Sequence, residues 1–129
     1  MNERTGRSPR VLVIDDNEQI GVMLIRGLTA QGYDVEVAHD GFSGRAAWRD
    51  GVFDLVLLDV MLPQIDGISL CEQRRAEGDT TPVVMLTGRD EPALRRRALD
   101  AGASDLILKP FAYGDLVSRI DELLHSADR

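Results

Sequence analysis

Four apolar runs, each free of charge and each stopping at a reactive side chain, constrain this chain more than any other feature. Leu55-Val56-Leu57-Leu58 ends in Asp59, with Met61-Leu62-Pro63 just beyond. Val11-Leu12-Val13-Ile14 ends in Asp15-Asp16, Val83-Val84-Met85-Leu86 in Thr87-Gly88, and Leu106-Ile107-Leu108 in Lys109-Pro110. Uncharged runs of this length read as strands buried on both faces, as in a parallel sheet covered by helices. Open α/β sheets put their chemistry outside the carboxyl ends of such strands. The runs therefore deliver three acids, a hydroxyl and an ammonium to one sheet edge. That is the pattern of a site that holds a divalent cation and accepts a phosphoryl group.

Segments of helical period separate the runs. Ile20, Met23, Leu24 and Leu28 form a stripe between an Asx start at Asp16-Asn17 and a stop at Gly32. Tyr33 to Ala38 alternates, as an edge strand with one solvated face does. Residues 42–50 predict a helix weakened by Gly44 and anchored by Ala47 and Trp48. Residues 67–77 predict another, with Ile68 and Cys71 inward. Its second half offers Arg74 and Arg75, so it is expected to be the least deeply packed helix. Pro92 opens a helix that stops at Gly102, and Leu116, Ile120, Leu123 and Leu124 mark the last one. A β-α unit repeated five times predicts an α/β fold, a five-stranded parallel sheet with helices on both faces. One domain over residues 10–126 is expected, with tails at 1–9 and 127–129 and no internal repeat.

At 129 residues the chain is long enough for one buried core. Its 15 basic and 22 acidic residues give a net charge of −7, which disfavours polyanionic partners such as nucleic acid or an anionic membrane. The single cysteine, Cys71, reads as a small core residue and suits a reducing cytoplasm. Residues 1–9 lack the apolar stretch of a signal peptide, and no run approaches a membrane span. A cytoplasmic protein is expected.

Magnesium prefers oxygen ligands, keeps several waters, and uses one or two carboxylates together with phosphate oxygens. Asp15, Asp16 and Asp59 supply such a pocket, with the backbone carbonyl near Met61 as a further ligand. Acids held this close repel one another, and a dication relieves them. If Asp59 attacks phosphorus, charge on the equatorial oxygens must meet cations and donors. Mg²⁺, Lys109 and the Thr87 hydroxyl with nearby backbone N–H groups are those partners. A cis peptide between Lys109 and Pro110 would aim the lysine inward, although most X-Pro bonds are trans.

The segments V-L-V-I-D-D-N, L-L-D-V-M-L-P-Q-I-D-G, V-V-M-L-T-G and L-I-L-K-P-F, in that order, resemble the receiver domain of two-component response regulators. The likeness runs from residue 10 to about 126. It implies a flavodoxin-like doubly wound fold with strand order 2-1-3-4-5, an order the general description of such folds already gives for a chemotaxis relative. It also implies that Asp59 is the phosphoacceptor, Asp15 and Asp16 the metal acids, Thr87 the switch hydroxyl and Lys109 the phosphate-binding lysine. The implied donor is a histidine kinase or phosphotransfer protein. The implied output is a change in the face made by the fourth helix, fifth strand and fifth helix, read by an effector domain or partner. Beyond its own phosphoryl transfer and dephosphorylation, such a domain is not an enzyme.

The chain departs from that pattern at Leu106, where receivers usually carry Tyr or Phe. Leucine has no ring to turn inward, which puts the usual Thr–aromatic coupling in doubt. The segments around Met61-Leu62-Pro63 and Thr87-Gly88-Arg89-Asp90 look most like the winged-helix transcription-factor branch. In that branch a weak twofold dimer is expected, pairing Asp105 with Arg119 and Arg95 or Arg96 with Asp115. Since the chain ends after the last helix, it reads as a stand-alone or an excised receiver. The blander readings are helix caps for Asp15-Asp16, a solvated face for Arg95-Arg96-Arg97, packing or partial exposure for Trp48, and surface positions for His39 and His125. A haloacid dehalogenase-type hydrolase would need an acid where Met61 stands. A flavodoxin would not present Asp15-Asp16 to a flavin phosphate. The serious alternative is a phosphate-independent docking module that keeps the acidic pocket and works through the 95–119 face.

Overall fold

The structure, a computed structural model, describes residues 8–126; most of the first expected tail and all of the second lie outside the described residues. Strands and helices alternate throughout. They are β1 (Arg10–Ile14), α1 (Glu18–Ala30), β2 (Asp34–Ala38), α2 (Gly41–Asp50), β3 (Leu55–Asp59), α3 (Gly67–Ala76), β4 (Val83–Thr87), α4 (Pro92–Asp100), β5 (Asp105–Leu108) and α5 (Tyr113–Ser126). All strand pairs are parallel and the sheet order is β2-β1-β3-β4-β5, as the resemblance implied.

The apolar runs become central strands because both sheet faces are covered. Val56 and Leu58 point to one side with Leu12, Ile14 and Met85, against Trp48 of α2, Leu70 of α3 and Leu94 of α4. Leu55 and Leu57 point to the other with Val11, Val13 and Leu86, against Leu24 and Leu28 of α1 and Leu116 and Ile120 of α5. Each fully buried leucine contributes roughly 1.5–3 kcal/mol of transfer free energy, and a charge in mid-strand would forfeit it. The first place a carboxylate can stand on β3 is its last residue. At the sheet edge β2 alternates as expected, with Asp34 and Glu36 outward, and Arg10 pairs with both at 3.4 and 3.8 Å.

Side-chain caps set the helix starts that matter for the site. The Asn17 oxygen accepts the Ile20 N–H at 3.0 Å, and the Asp66 oxygen accepts that of Ser69 at 2.9 Å. Gly67 lies directly behind the end of β3. Its N–H donates to the Val60 carbonyl at 2.9 Å, and a Cβ there would run into the carbonyl oxygen of Asp59.

Two packing expectations change, and the alternatives for Trp48 resolve to packing. Helix α3 is not the least deeply packed: Gly67, Ile68, Leu70, Cys71 and Arg74 are all buried, whereas α4 buries only Leu94 and Ala98. The sequence misleads because Arg74, 8% exposed, buries its charge with partners. Its guanidinium pairs with Asp79 at 3.0 Å and Glu77 at 3.3 Å and lies 5.6 Å from the Trp48 ring centroid. Trp48 itself is core, without partial exposure. Met23, placed on the inward stripe of α1, is exposed beside Val22 and Ile25.

Candidate functional site

Each reactive side chain sits where a buried strand runs out, and the register sets these ends side by side. Ile14 is level with Leu58, Asp59 with Leu86, and Thr87 with Leu108. Asp15 and Asp16 follow β1, Asp59 ends β3, Thr87 ends β4 and Lys109 follows β5. The sequence-derived residues therefore do converge on one edge.

Carboxylate oxygens of Asp15, Asp16 and Asp59 lie within 4.8 Å of one another. Asp15 and Asp59 are buried and Asp16 is open to solvent. The Lys109 ammonium donates to Asp15 Oδ2 at 2.9 Å and stands 3.4 Å from Asp59 Oδ2. Asp15 Oδ1 accepts the Asn17 N–H at 2.9 Å, and Asp59 Oδ1 accepts the Met61 N–H at 3.2 Å. Met61 thus engages Asp59 through its amide. Thr87 is fully buried, and its oxygen accepts the Arg89 N–H at 3.1 Å, which leaves the hydroxyl proton to be donated. The Lys109–Pro110 peptide is cis.

The electrostatics follow from burial and crowding. Loss of solvent, then the charge of Asp15, pushes the Asp59 carboxyl up from 3.8 to about 6, against the opposing pull of Lys109 and the Met61 N–H. For Lys109, burial disfavours the ammonium, but the hydrogen bond and charge of Asp15, followed by Asp59, outweigh it and hold the group above its ordinary value. One ammonium serves two buried acids, and a third acid stands at the mouth. Such a donor set fits a cation of the Mg²⁺ kind: oxygen ligands only, two of them held rigidly, and one side open to solvent.

Around this centre lie features that the motifs did not announce. Outward on α1, Glu18, Gln19, Val22, Met23 and Arg26 line a groove of about 530 Å³. The available signal was the surplus of apolar residues beside the inward stripe. On the other flank, Met61, Arg89, Arg97 and Leu94 help line a cleft of about 210 Å³ just beyond the end of β3. His39, exposed as expected, is nevertheless 3.2 Å from the Asp15 carbonyl oxygen. The expected intermolecular partners Asp105 and Arg119 meet within one chain at 2.7 Å, and Arg95 joins Asp105 at 3.7 Å. Leu106 is buried with Leu94 and Ala98 of α4.

Comparison with known proteins agrees with this geometry. Residues 11–121 match the family model for the response regulator receiver domain. The response regulator MprA of Mycobacterium bovis BCG is 43% identical over 117 residues, which are 91% of this chain and 51% of that protein. MprA of Mycobacterium ulcerans is equally identical, with 50% of its length covered. The chain thus spans about half the length of the curated relatives it matches. Among solved structures, a Francisella response regulator receiver domain superposes with a TM-score of 0.89 at 31% identity, over 93% of this chain and 99% of that one. The chemotaxis protein CheY4 of Vibrio cholerae gives 0.85 at 29% identity, over 91% and 99%.

Proposed function

The chain belongs to the response regulator receiver family, and from that premise we propose that it is a phosphorylation-controlled switch whose acceptor is Asp59. The observation that carries the reading is one ammonium, Lys109, within 3.4 Å of two buried carboxylates whose third neighbour is also an acid. Such a cluster is poorly neutralised until a dication arrives.

In the proposed reaction an Asp59 carboxylate oxygen attacks phosphorus of a phosphohistidine on a histidine kinase or phosphotransfer protein. The O–P bond forms as the P–N bond breaks, and the leaving imidazole takes up a proton. Lys109, already beside Asp59 Oδ2, meets one equatorial oxygen. Thr87 donates its free proton to another. Asp15, Asp16, Asp59 and the Met61 carbonyl would hold Mg²⁺, which would supply further charge neutralisation. Outward Val22, Met23 and Ile25 on α1, at the rim beside Asp16, give the donor protein an apolar surface to land on. Output passes through the α4-β5-α5 face to an effector domain or partner, in a domain spanning residues 10–126 that works in the cytoplasm and catalyses only its own phosphoryl chemistry.

Incubation with acetyl phosphate or phosphoramidate and Mg²⁺ tests the acceptor. The expected product carries one acid-stable, base-labile phosphoryl group on Asp59, absent in Asp59→Asn. A phosphoryl group mapped to another residue, with Asp59 unmodified, refutes the assignment. Leu106 favours one second reading, a docking module that keeps the pocket but ignores phosphate. In that case the amide NMR signals of α4, β5 and α5 stay fixed when beryllofluoride is added.

A further inference from the structure

We infer that His39, just past β2, is a positioning residue for the metal site, holding the peptide between Asp15 and Asp16 so that Asp16 faces the ion. The inference rests on the reading of the acid cluster as a Mg²⁺ site. A carbonyl oxygen can only accept, so at 3.2 Å from the Asp15 carbonyl it is His39 Nδ1 that carries the hydrogen. The N–H of Asp15 donates in turn to the Ala38 carbonyl at 3.1 Å. Both peptide groups flanking Asp15 are therefore fastened to consecutive residues at the end of β2. The ring also lies close to α1, where a methyl added at Gly21 would meet His39 Cε1 at 3.6 Å and Val37 Cγ1 at 3.4 Å.

The three acids differ in how they are held. Asp15 is fixed through Asn17 and Lys109, and Asp59 through Met61 and Lys109. Asp16 has no hydrogen-bond or ion-pair partner among the described residues. Its carboxylate direction is set only by its own torsions and by the peptide plane that precedes it. That plane carries the Asp15 carbonyl, which His39 holds. Mg²⁺ demands near-ideal octahedral geometry, so a plane free to rock costs affinity even though every ligand remains.

The test compares wild type with His39→Ala, His39→Gln and His39→Asn by Mg²⁺ titration calorimetry at pH 8. Asparagine's amide nitrogen sits about where Nδ1 does, and glutamine's about where Nε2 does. The expected result is an Mg²⁺ Kd raised about three- to tenfold in the Ala and Gln variants and restored to within about twofold of wild type by Asn. Melting temperatures in EDTA should be alike in all four. Equal Kd values throughout, or an Asn variant as weak as Ala, overturn the inference. A wild type that takes up no Mg²⁺ overturns the metal reading itself, and this inference with it. A wild type that binds Mg²⁺ without Asp59 phosphorylation spares the inference and sinks only the acceptor assignment.

Discussion

Replacing Asp59 by Asn should stabilise the metal-free protein, and by an amount that grows with pH. A carboxyl raised in the folded state from 3.8 to about 6 binds its proton more tightly folded than unfolded. Between those values the folded state holds more protons, so stability falls as pH rises through the window and stays low above it. Asparagine mimics the protonated acid and escapes this loss. For a raise to about 6, the advantage of Asp59→Asn works out at about 0.5 kcal/mol at pH 4, about 1.6 at pH 5 and about 3 at pH 7. The attraction of Lys109 is already inside the net shift, and that lysine keeps Asp15 as a partner. Urea denaturation of both proteins in EDTA from pH 4 to 8 reads the difference directly. Mg²⁺ then supplies a second check. At one hundred times its Kd it stabilises the wild type by about 2.7 kcal/mol, which nearly closes the pH 7 gap if the mutant binds it poorly. A pH-independent gap, or a mutant less stable than wild type at pH 7 without metal, would refute the reasoning.

The hydroxyl of Tyr113 is buried without a hydrogen-bond partner in the notch left by Gly27. Tyr113→Phe should therefore cost nothing or stabilise by up to about 1 kcal/mol, while Gly27→Ala should destabilise by roughly 1–3 kcal/mol through overpacking; thermal melts with both changes in the unfavourable direction would contradict this. Met61, 52% exposed, and Arg89 flank the acceptor. If they obstruct an attacking water, Met61→Asn and Arg89→Ala should shorten the life of the phosphorylated form, and unchanged decay rates in both would clear them of that role. Because Asp105 is already paired with Arg119 inside the chain, a twofold dimer exchanges one exposed ion pair, worth about 0.2–1 kcal/mol, for another. Sedimentation should show monomer at low micromolar concentration, with a salt-sensitive dimer promoted by beryllofluoride and opposed by Arg119→Ala; a beryllofluoride-insensitive monomer at high concentration and low salt would point to a different partner.

The architecture was legible in the sequence because burial on both faces leaves no freedom in what a central strand can contain. Val11 to Ile14, Leu55 to Leu58 and Val83 to Leu86 are apolar at every position, and that pattern alone requires two helical layers. The same logic placed Asp15, Asp59, Thr87 and Lys109 together, since parallel strands of similar length end at one edge. Chemistry at strand ends is set by chain direction, which the sequence carries in full.

Side-chain pairing was much less legible. Arg74 reads as a surface charge because nothing in one segment announces that Asp79 and Trp48 will enclose it from two others. Met23 reads as core because helical spacing gives a stripe but not its width. Opposite charges on one face look alike in a sequence whether they meet within a chain or across an axis, and Asp105 meets Arg119 within the chain. These misses share a cause: the energy of an exposed or half-buried pair depends on angles and distances that composition does not encode. That matters most at Leu106. In the structure its side chain already fills the core beside Leu94 and Ala98, while its backbone carbonyl accepts from Arg95 at 3.1 Å. Arg95 also reaches Asp105, and Asp105 reaches Arg119. So α4, β5 and α5 are joined by a guanidinium-carboxylate chain running outside the sheet edge, through groups that no ring needs to move. Lightly packed α4 is thus tied to β5 and α5 through that chain, by part-exposed ion pairs worth roughly a kcal/mol each at most.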